Sequence, residues 1–394
     1  MSLVAPTGKA RPWELLHCVA LPKKVPLPFM QPVQEGWKEQ EHCALTEMKN
    51  RIEDLESADE WELRKKVTNP YESIFSGGDD ATFPSLAKVK PLSRSFFKMV
   101  EMLQVFDFWS FAKYTAETKA TSITTGHLCE GPGGFLQCVA EGLKTRNLPV
   151  DKLYAITLRP TKHQIPGWRR SAHILRKHPE ISLQFGKDDT GDMLSVENQD
   201  HFIQQAGGPG SLQLVTADGG FDFSVDFSKQ EFHAFPLILA SFIVGLQALA
   251  PGGFLIIKLF DIYSQASRDL ILGSAYFFKD FCLYKPATSR PCNSERYFVG
   301  RGYAGHTIAA KWIANLKHAA KLHTSTSPLT QLVKGAWPLP FQDLLQEQMD
   351  WQEDEQIKNI KETLELNKSD IEMKMRQNLQ SSKAWCQTFK IPSS

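Results

Sequence analysis

Residues 121–146 read TSITTGHLCEGPGGFLQCVAEGLKTR, and three kinds of local chemistry follow one another within them. Ile123-Thr124-Thr125 is rich in β-branched residues and predicts a strand. Cys129-Glu130-Gly131-Pro132-Gly133-Gly134-Phe135 then punctuates the chain with glycine and proline, and Phe135 to Arg146 carries apolar residues at helical spacing. Strand, glycine turn, helix is a nucleotide-type βα turn, in which glycine lets the backbone pass close to a ligand without a Cβ clash. The spacing is neither G-x-G-x-x-G nor G-x-x-x-x-G-K-[ST], which sets aside a dinucleotide fingerprint and a P-loop. Taken alone, GPGG fits a plain tight βα turn equally well.

Outward from that turn, apolar runs recur at KLYAITLR, ISLQFG, LQLVTAD, GFLIIKLF, FCLYKPA and RYFVGRGY, separated by helix-like stretches such as EFHAFPLILASFIVGLQALA. Alternating strands and helices predict βαβ units. The expected fold is α/β, a mostly parallel seven-stranded Rossmann-like sheet. The last two runs are joined by a short loop and should form an antiparallel pair at one edge. Residues 86–305 form this core. Residues 1–85 read as a Pro-, Lys- and aromatic-rich arm followed by one charged surface helix over 44–66, and SRSFFKMVEMLQVFDFW, 93–109, as an amphipathic helix. Residues 306–394 form a second, helical extension.

Composition narrows the classes further. Forty-five basic against 44 acidic residues leave a net charge of +1, so a nucleic-acid surface would have to be a local patch. Seven cysteines, none in a C-x-x-C pair, argue against a disulfide framework and a thiolate metal site. The N-terminus lacks a signal-peptide core, and the apolar run 236–250 is short and interrupted by Ser241 and Gln247. A soluble, intracellular protein is the expectation.

Four polar residues stand out by context. Lys98 lies in SRSFFK ahead of the glycine turn, Asp218 ends LQLVTAD, Lys258 ends GGFLIIK, and Glu295 precedes the apolar Tyr297-Phe298-Val299. Asp218 and Lys258 fall at the C-terminal ends of strands, where open α/β sheets place ligands. A lysine beside a carboxylate near such a turn suggests an amine base acting on a hydroxyl. Asp192, in DDTGDM after the third strand, could accept from an adenine amino group, although taken alone a solvated acidic loop is the better reading.

The segments SRSFFK, CEGPGGF, VTADGGFD, GGFLIIKLF and KPATSRPCNSERYFV together resemble the FtsJ/RrmJ-type ribose 2′-O-methyltransferases. Within that superfamily the chain most resembles the eukaryotic cap-specific mRNA enzymes, the type that modifies the second transcribed nucleotide. The likeness covers about 90–305. It implies S-adenosylmethionine as methyl donor, no metal, and a Lys-Asp-Lys-Glu tetrad at Lys98, Asp218, Lys258 and Glu295. The donor would be held by Cys129, Glu130, Gly131, Pro132, Gly133, Gly134, Phe135, Thr157, Asp192 and Asp218. Many relatives carry an acidic residue where this chain has His127, and another after the second strand, where this chain has Thr157-Leu158-Arg159-Pro160. Ribose recognition would therefore fall to Glu130, backbone groups or Thr157.

A free lysine, with a pKa of about 10.4, is charged at neutral pH. Burial and a neighbouring cation lower it, and a carboxylate raises it. The expectation is Lys258 as base, with Lys98 as neighbouring charge and Asp218 and Glu295 orienting both. Phosphates of a capped 5′ end would lie along Arg159, Lys162, Arg169 and Arg170, with Trp168 as a stacking platform, and along Lys88, Lys90 and Arg94; a solvated basic loop accounts for the first group equally well. The alternatives are another cap nucleotide, ribosomal or transfer RNA, or an inactive RNA-binding scaffold. Cap chemistry points to the nucleus, with the cytoplasm as alternative.

Overall fold

A computed structural model of the chain describes residues 30–33, 43–55, 57–76, 83–119, 121–160, 166–220, 230–324 and 326–394. Its strands are β1 Met30–Val33, β2 Ile123–Leu128, β3 Val150–Ile156, β4 Ile181–Gln184, β5 Leu212–Ala217, β6 Leu249–Leu259, β7 Asp280–Tyr284, β8 Arg296–Arg301 and β9 Gln331–Val333. Seven of them form one sheet in the order β4-β3-β2-β5-β6-β8-β7, and β1 pairs with β9 separately. All seven apolar runs of the core are strands of the large sheet. From β4 to β6 the neighbours are parallel. The β7–β8 pair at the edge is antiparallel, with β8 the reversed strand, running against both β6 and β7.

The helices are α1 Cys43–Asn50, α2 Ala58–Thr68, α3 Ser95–Val105, α4 Phe108–Lys119, α5 Gly134–Thr145, α6 Ala172–Lys177, α7 Val196–Gln205, α8 Gln230–Ala248, α9 Gln265–Ala275, α10 Ala310–Leu322, α11 Leu339–Leu364 and α12 Lys368–Thr388. Two helices expected to be continuous are broken. In the 44–66 stretch, α1 passes into a 3-10 turn at Arg51–Asp54, and Ser57 starts α2 by accepting the Glu60 N–H at 3.2 Å. Serine with glutamate three residues later is a helix-start signature, which overrides the continuous charge pattern. The 93–109 stretch divides at Asp107, whose φ of 58° lies in the left-handed region that ends an α-helix.

Period-two alternation gives the sheet two buried faces. Val215, Leu255, Ile257 and Phe298 pack with Phe202, Phe242, Leu270 and Trp312 on one side. Leu214, Phe254, Ile256 and Val299 pack with Phe97, Leu103, Val139 and Trp385 on the other. Each such side chain contributes roughly 2 kcal/mol by leaving water, so the strand ends project from a rigid frame. Helix α8 is long and apolar enough to span a bilayer, but 67% of its most apolar window is buried in the protein. The two extensions meet. The Arg64 guanidinium of α2 donates to the Leu364 and Leu366 carbonyls at 2.9 and 2.8 Å, closing the C-terminal end of α11. Trp385 of α12 reaches the core, where its indole donates to Glu101 of α3 at 2.9 Å.

Candidate active site

Three strand ends and one helix converge on a single cluster. Asp218 directly follows β5, Lys258 is the second-last residue of β6, and Glu295 directly precedes β8. Lys258 pairs with Tyr297 across the antiparallel β6–β8 ladder, and Ala217 pairs with Ile257 across β5–β6. The end of β5, the end of β6 and the start of β8 therefore share one edge of the sheet. Lys98, in the first turn of α3, reaches the same edge because α3 starts against the glycine turn. A Cβ on Gly134 would lie 2.2 Å from Ser95 Oγ and 2.4 Å from Ser93 Oγ, so that approach requires glycine.

All four predicted residues come together. Lys98 Nζ lies 2.6 Å from Glu295 Oε1, and Lys258 Nζ lies 3.6 Å from Glu295 Oε2 and 3.5 Å from Asp218 Oδ1. Their side chains are 9–15% exposed. Burial would raise the Glu295 pKa, but Lys98 and Lys258, with the Ser289 hydroxyl donating at 2.7 Å, hold it well below the usual carboxylate range. For Lys258 burial is the largest influence and lowers its pKa, yet Asp218 and Glu295 together outweigh it and the net shift is upward. This corrects the expectation of a lysine already depressed by Lys98. The Lys98 charge is met by Glu295 at close range, so two carboxylates govern Lys258, which is an ammonium in the free protein.

Three participants were not singled out from the sequence. The Tyr297 hydroxyl donates to Asp218 Oδ1 at 2.9 Å, and burial, then Asp218 and Glu295, push its pKa well above the usual tyrosine value. Ser289 positions Glu295. Lys285 donates to the Asn293 carbonyl, the Asn293 side chain and the Glu295 carbonyl at 2.6, 2.8 and 3.0 Å; burial lowers its pKa to about 7, against the pull of Glu295. The signal for Tyr297 was its place two residues after Glu295, on the same face of an extended strand.

The glycine turn lies where the sheet order reverses: β2, β3 and β4 progress one way and β5 and β6 the other. Open α/β sheets bind ligands at such a crevice. Leu128 pairs with both Ile156 and Ala217, so Cys129, Thr157 and Asp218 stand one residue beyond it, level across three strands. Cys129 (φ 57°) and Gly133 (φ 103°) take left-handed conformations, and the Gly133 N–H closes onto the Glu130 carbonyl at 2.6 Å. The Thr157 carbonyl presses on Gly191, where a Cβ would approach it to 2.0 Å. The 186–192 loop is thereby docked on the end of β3 and Asp192 brought to the crevice. Asp192 Oδ1 accepts the Leu194 N–H at 2.9 Å, and no side-chain or backbone donor to its other oxygen is found among the described residues.

Several expected contacts are used internally. The Glu130 carboxylate accepts from the Thr216 hydroxyl and lies 3.2 Å from His127 Nδ1. His127 and Thr216 are cross-strand partners, so Glu130 folds back beneath the turn, and burial raises its pKa; ribose recognition does not fall to its carboxylate. The Phe135 ring is fully buried against Tyr297 and supports the turn from below. Trp168 packs on Gly133, whose Cβ would lie 3.0 Å from its ring, so it covers the turn instead of forming an open platform. Its indole N–H is buried and has no partner among the described residues. Arg94 turns inward, donating to the Phe75 carbonyl and pairing with Glu72 at 3.2 Å, so its guanidinium serves as a structural clamp. Arg159 stacks on Phe185 at 3.6 Å and pairs with Asp189 at 2.5 Å. Lys88, Lys90, Arg169 and Arg170 are exposed, and Lys162 lies outside the described residues.

These features fit S-adenosylmethionine. The switch-point crevice, the open oxygen of Asp192, the Asp218 carboxylate and the orphaned Trp168 N–H supply acceptors and a donor around the glycine turn. Residues 91–303 match the family described as FtsJ-like methyltransferase. Among curated proteins, the chain is 26% identical over 295 residues to cap-specific mRNA (nucleoside-2′-O-)-methyltransferase 1 of Trypanosoma cruzi, covering 73% of this chain and 79% of that one. It is 30% identical to the Xenopus laevis methyltransferase 1 (66% of this chain, 30% of that one) and 29% identical to the Danio rerio methyltransferase 2 (66% and 34%). The chain thus spans about a third of the length of these two vertebrate proteins.

Proposed function

The chain belongs to the FtsJ-like methyltransferase family, with S-adenosylmethionine as methyl donor, and we propose that it methylates a ribose 2′-oxygen at the capped 5′ end of mRNA, at the second transcribed nucleotide. The convergence of Lys98, Asp218, Lys258 and Glu295 at one sheet edge carries the proposal, and it argues against an inactive scaffold. The cap substrate is supported by relatives named for that activity, of type 1 and type 2 alike. The second-nucleotide position is supported by the segments HLCEGPGGF, FGKDDTGDM, LVTADGGFD and KPATSRPCNSE. Capping chemistry makes the nucleus its working compartment.

The donor supplies an electrophilic methyl group on a sulfonium. The chain supplies position and a proton acceptor. Lys258 Nζ first releases its own proton to solvent and then takes the 2′-hydroxyl proton as the oxygen accepts the methyl group. The free site opposes that loss through Asp218 and Glu295, and RNA covering the edge deepens desolvation, the largest influence on Lys258 and the one that favours its neutral form. Lys98 holds Glu295 ionised and fixed, and Tyr297 shares Asp218 with Lys258. The test is transfer of labelled methyl groups to short capped and uncapped RNAs, with nuclease mapping of the product. Label at the second ribose supports the reading. Label at the first ribose supports a type 1 activity, and label on uncapped RNA moves the substrate to another RNA class.

A further inference from the structure

Behind the loop that carries Glu295 lies a cleft of about 300 Å3, lined by Tyr71, Lys285, Arg296, Trp351, Gln352 and Glu355, among others. It opens between the 285–296 loop, the Pro70-Tyr71 segment and helix α11, and Lys258 is not among the residues that line it. Its lining is unusual in three respects. Gln352 is 6% exposed, and among the described residues neither its amide nitrogen nor its amide oxygen has a partner. Arg296 is 4% exposed, and its Nη1 is likewise unpaired. Trp351, next to Gln352 on α11, is 49% exposed.

Each buried orphan costs about 1–3 kcal/mol unless something satisfies it. A primary amide with both ends unmet seeks a partner presenting a donor and an acceptor side by side, and a guanidinium N–H seeks an acceptor. An exposed indole seeks a flat ring. A purine satisfies all of these: its edge carries adjacent donor and acceptor atoms of the kind glutamine and arginine read in nucleic acids, and its face stacks on tryptophan. The volume is at the small end of ligand pockets, which run from roughly 300 to 1,000 Å3, and is sufficient for one base. We propose that this cleft is a second binding site, one that takes a purine nucleotide with the ring on Trp351 and its polar edge on Gln352 and Arg296. The occupant is a base of the bound RNA or a free nucleotide; only the first of these rests on the capped-RNA reading.

The test titrates AMP, GMP and UMP into the full chain by calorimetry, alongside Gln352→Leu and Trp351→Ala. Trp351 is exposed, and Gln352→Leu removes an unsatisfied amide, so both variants fold. AMP or GMP binds the wild type, UMP binds at least tenfold more weakly, and both variants lose at least tenfold in purine affinity while S-adenosylmethionine binding is unchanged. Absence of purine binding, or equal binding by the variants, overturns the site. Methyl transfer to capped RNA then separates the sources. A KM raised at least tenfold at constant kcat in the variants assigns the cleft to an RNA base, and unchanged kinetics assign it to a free nucleotide. Wild-type protein that binds purines but methylates no capped RNA leaves the cleft standing and defeats the substrate reading.

Discussion

Lys258 and Tyr297 are cross-strand partners that converge on one carboxylate oxygen, Asp218 Oδ1, at 3.5 and 2.9 Å. A buried acceptor shared between an ammonium and a hydroxyl binds each less tightly than it would bind either alone. Tyr297 therefore limits how firmly Asp218 holds the Lys258 proton.

Lys258→Met should abolish proton acceptance and leave the donor crevice intact. Activity falls by about 10²–10⁴-fold, the usual worth of a general base. S-adenosylmethionine affinity, measured by calorimetry, stays within about twofold. A variant with near-normal turnover would remove Lys258 from the chemistry.

The pH profile follows from the upward shift of Lys258. The profile of kcat/KM reports the free enzyme, in which Asp218 and Glu295 hold Lys258 above the ordinary lysine value, so the neutral amine is a minor form that grows as pH rises. The rate should climb through neutral and mildly alkaline pH without levelling there. Tyr297→Phe removes a donor from Asp218, tightens its hold on Lys258 and moves the limb higher, at a cost of about tenfold near pH 7, equivalent to ~1.4 kcal/mol. A plateau near neutrality would show that another group is titrating.

Arg94 and Lys90 lie four residues apart but should fail differently. Arg94→Ala leaves the fully buried Glu72 with Arg290 as its remaining cation, at 3.3 Å, and destabilises the fold by about 3 kcal/mol in urea unfolding, the lower end for a broken buried pair. Lys88→Ala with Lys90→Ala changes stability by less than about 0.5 kcal/mol and weakens RNA binding with a smaller salt slope. Equal stability losses in the two variants would contradict this division.

Glu101 is buried beneath the site loop and accepts from Tyr284, the Ala287 N–H and Trp385 at 2.5, 2.7 and 2.9 Å. Burial outweighs these donors and raises its pKa to about 7. Between about pH 4.3 and 7 the folded chain keeps a proton that the unfolded chain has lost, so stability falls as pH rises across that window. The full loss, on the order of 3 kcal/mol, is present above pH 7. Thermal unfolding at pH 5 and pH 8 measures it, and Glu101→Gln should flatten the difference, although it gives up an acceptor for Trp385. An unchanged slope in Glu101→Gln would place the effect elsewhere.

Much of the fold was legible because its signals are local. Apolar runs, the glycine turn and strand-end charges depend on neighbours in the chain, so the sequence by itself determined the seven strands, the crevice turn and the four converging residues. It did not reveal where helices break, because capping at Ser57 and the left-handed Asp107 compete with charge and apolar periodicity that continue across both positions. Nor did it distinguish side chains with equal chemistry and different surroundings. Arg94 and Lys90 are both basic, yet only the tertiary structure decides that Arg94 is consumed by Glu72. Glu130 precedes the turn glycines, yet the pairing of β2 with β5 sets His127 beside Thr216 and draws its carboxylate inward. The direction of the Lys258 shift was decided in the same way. It is a balance of burial against two carboxylates from distant segments, and distances between remote residues are fixed only when the strands pair.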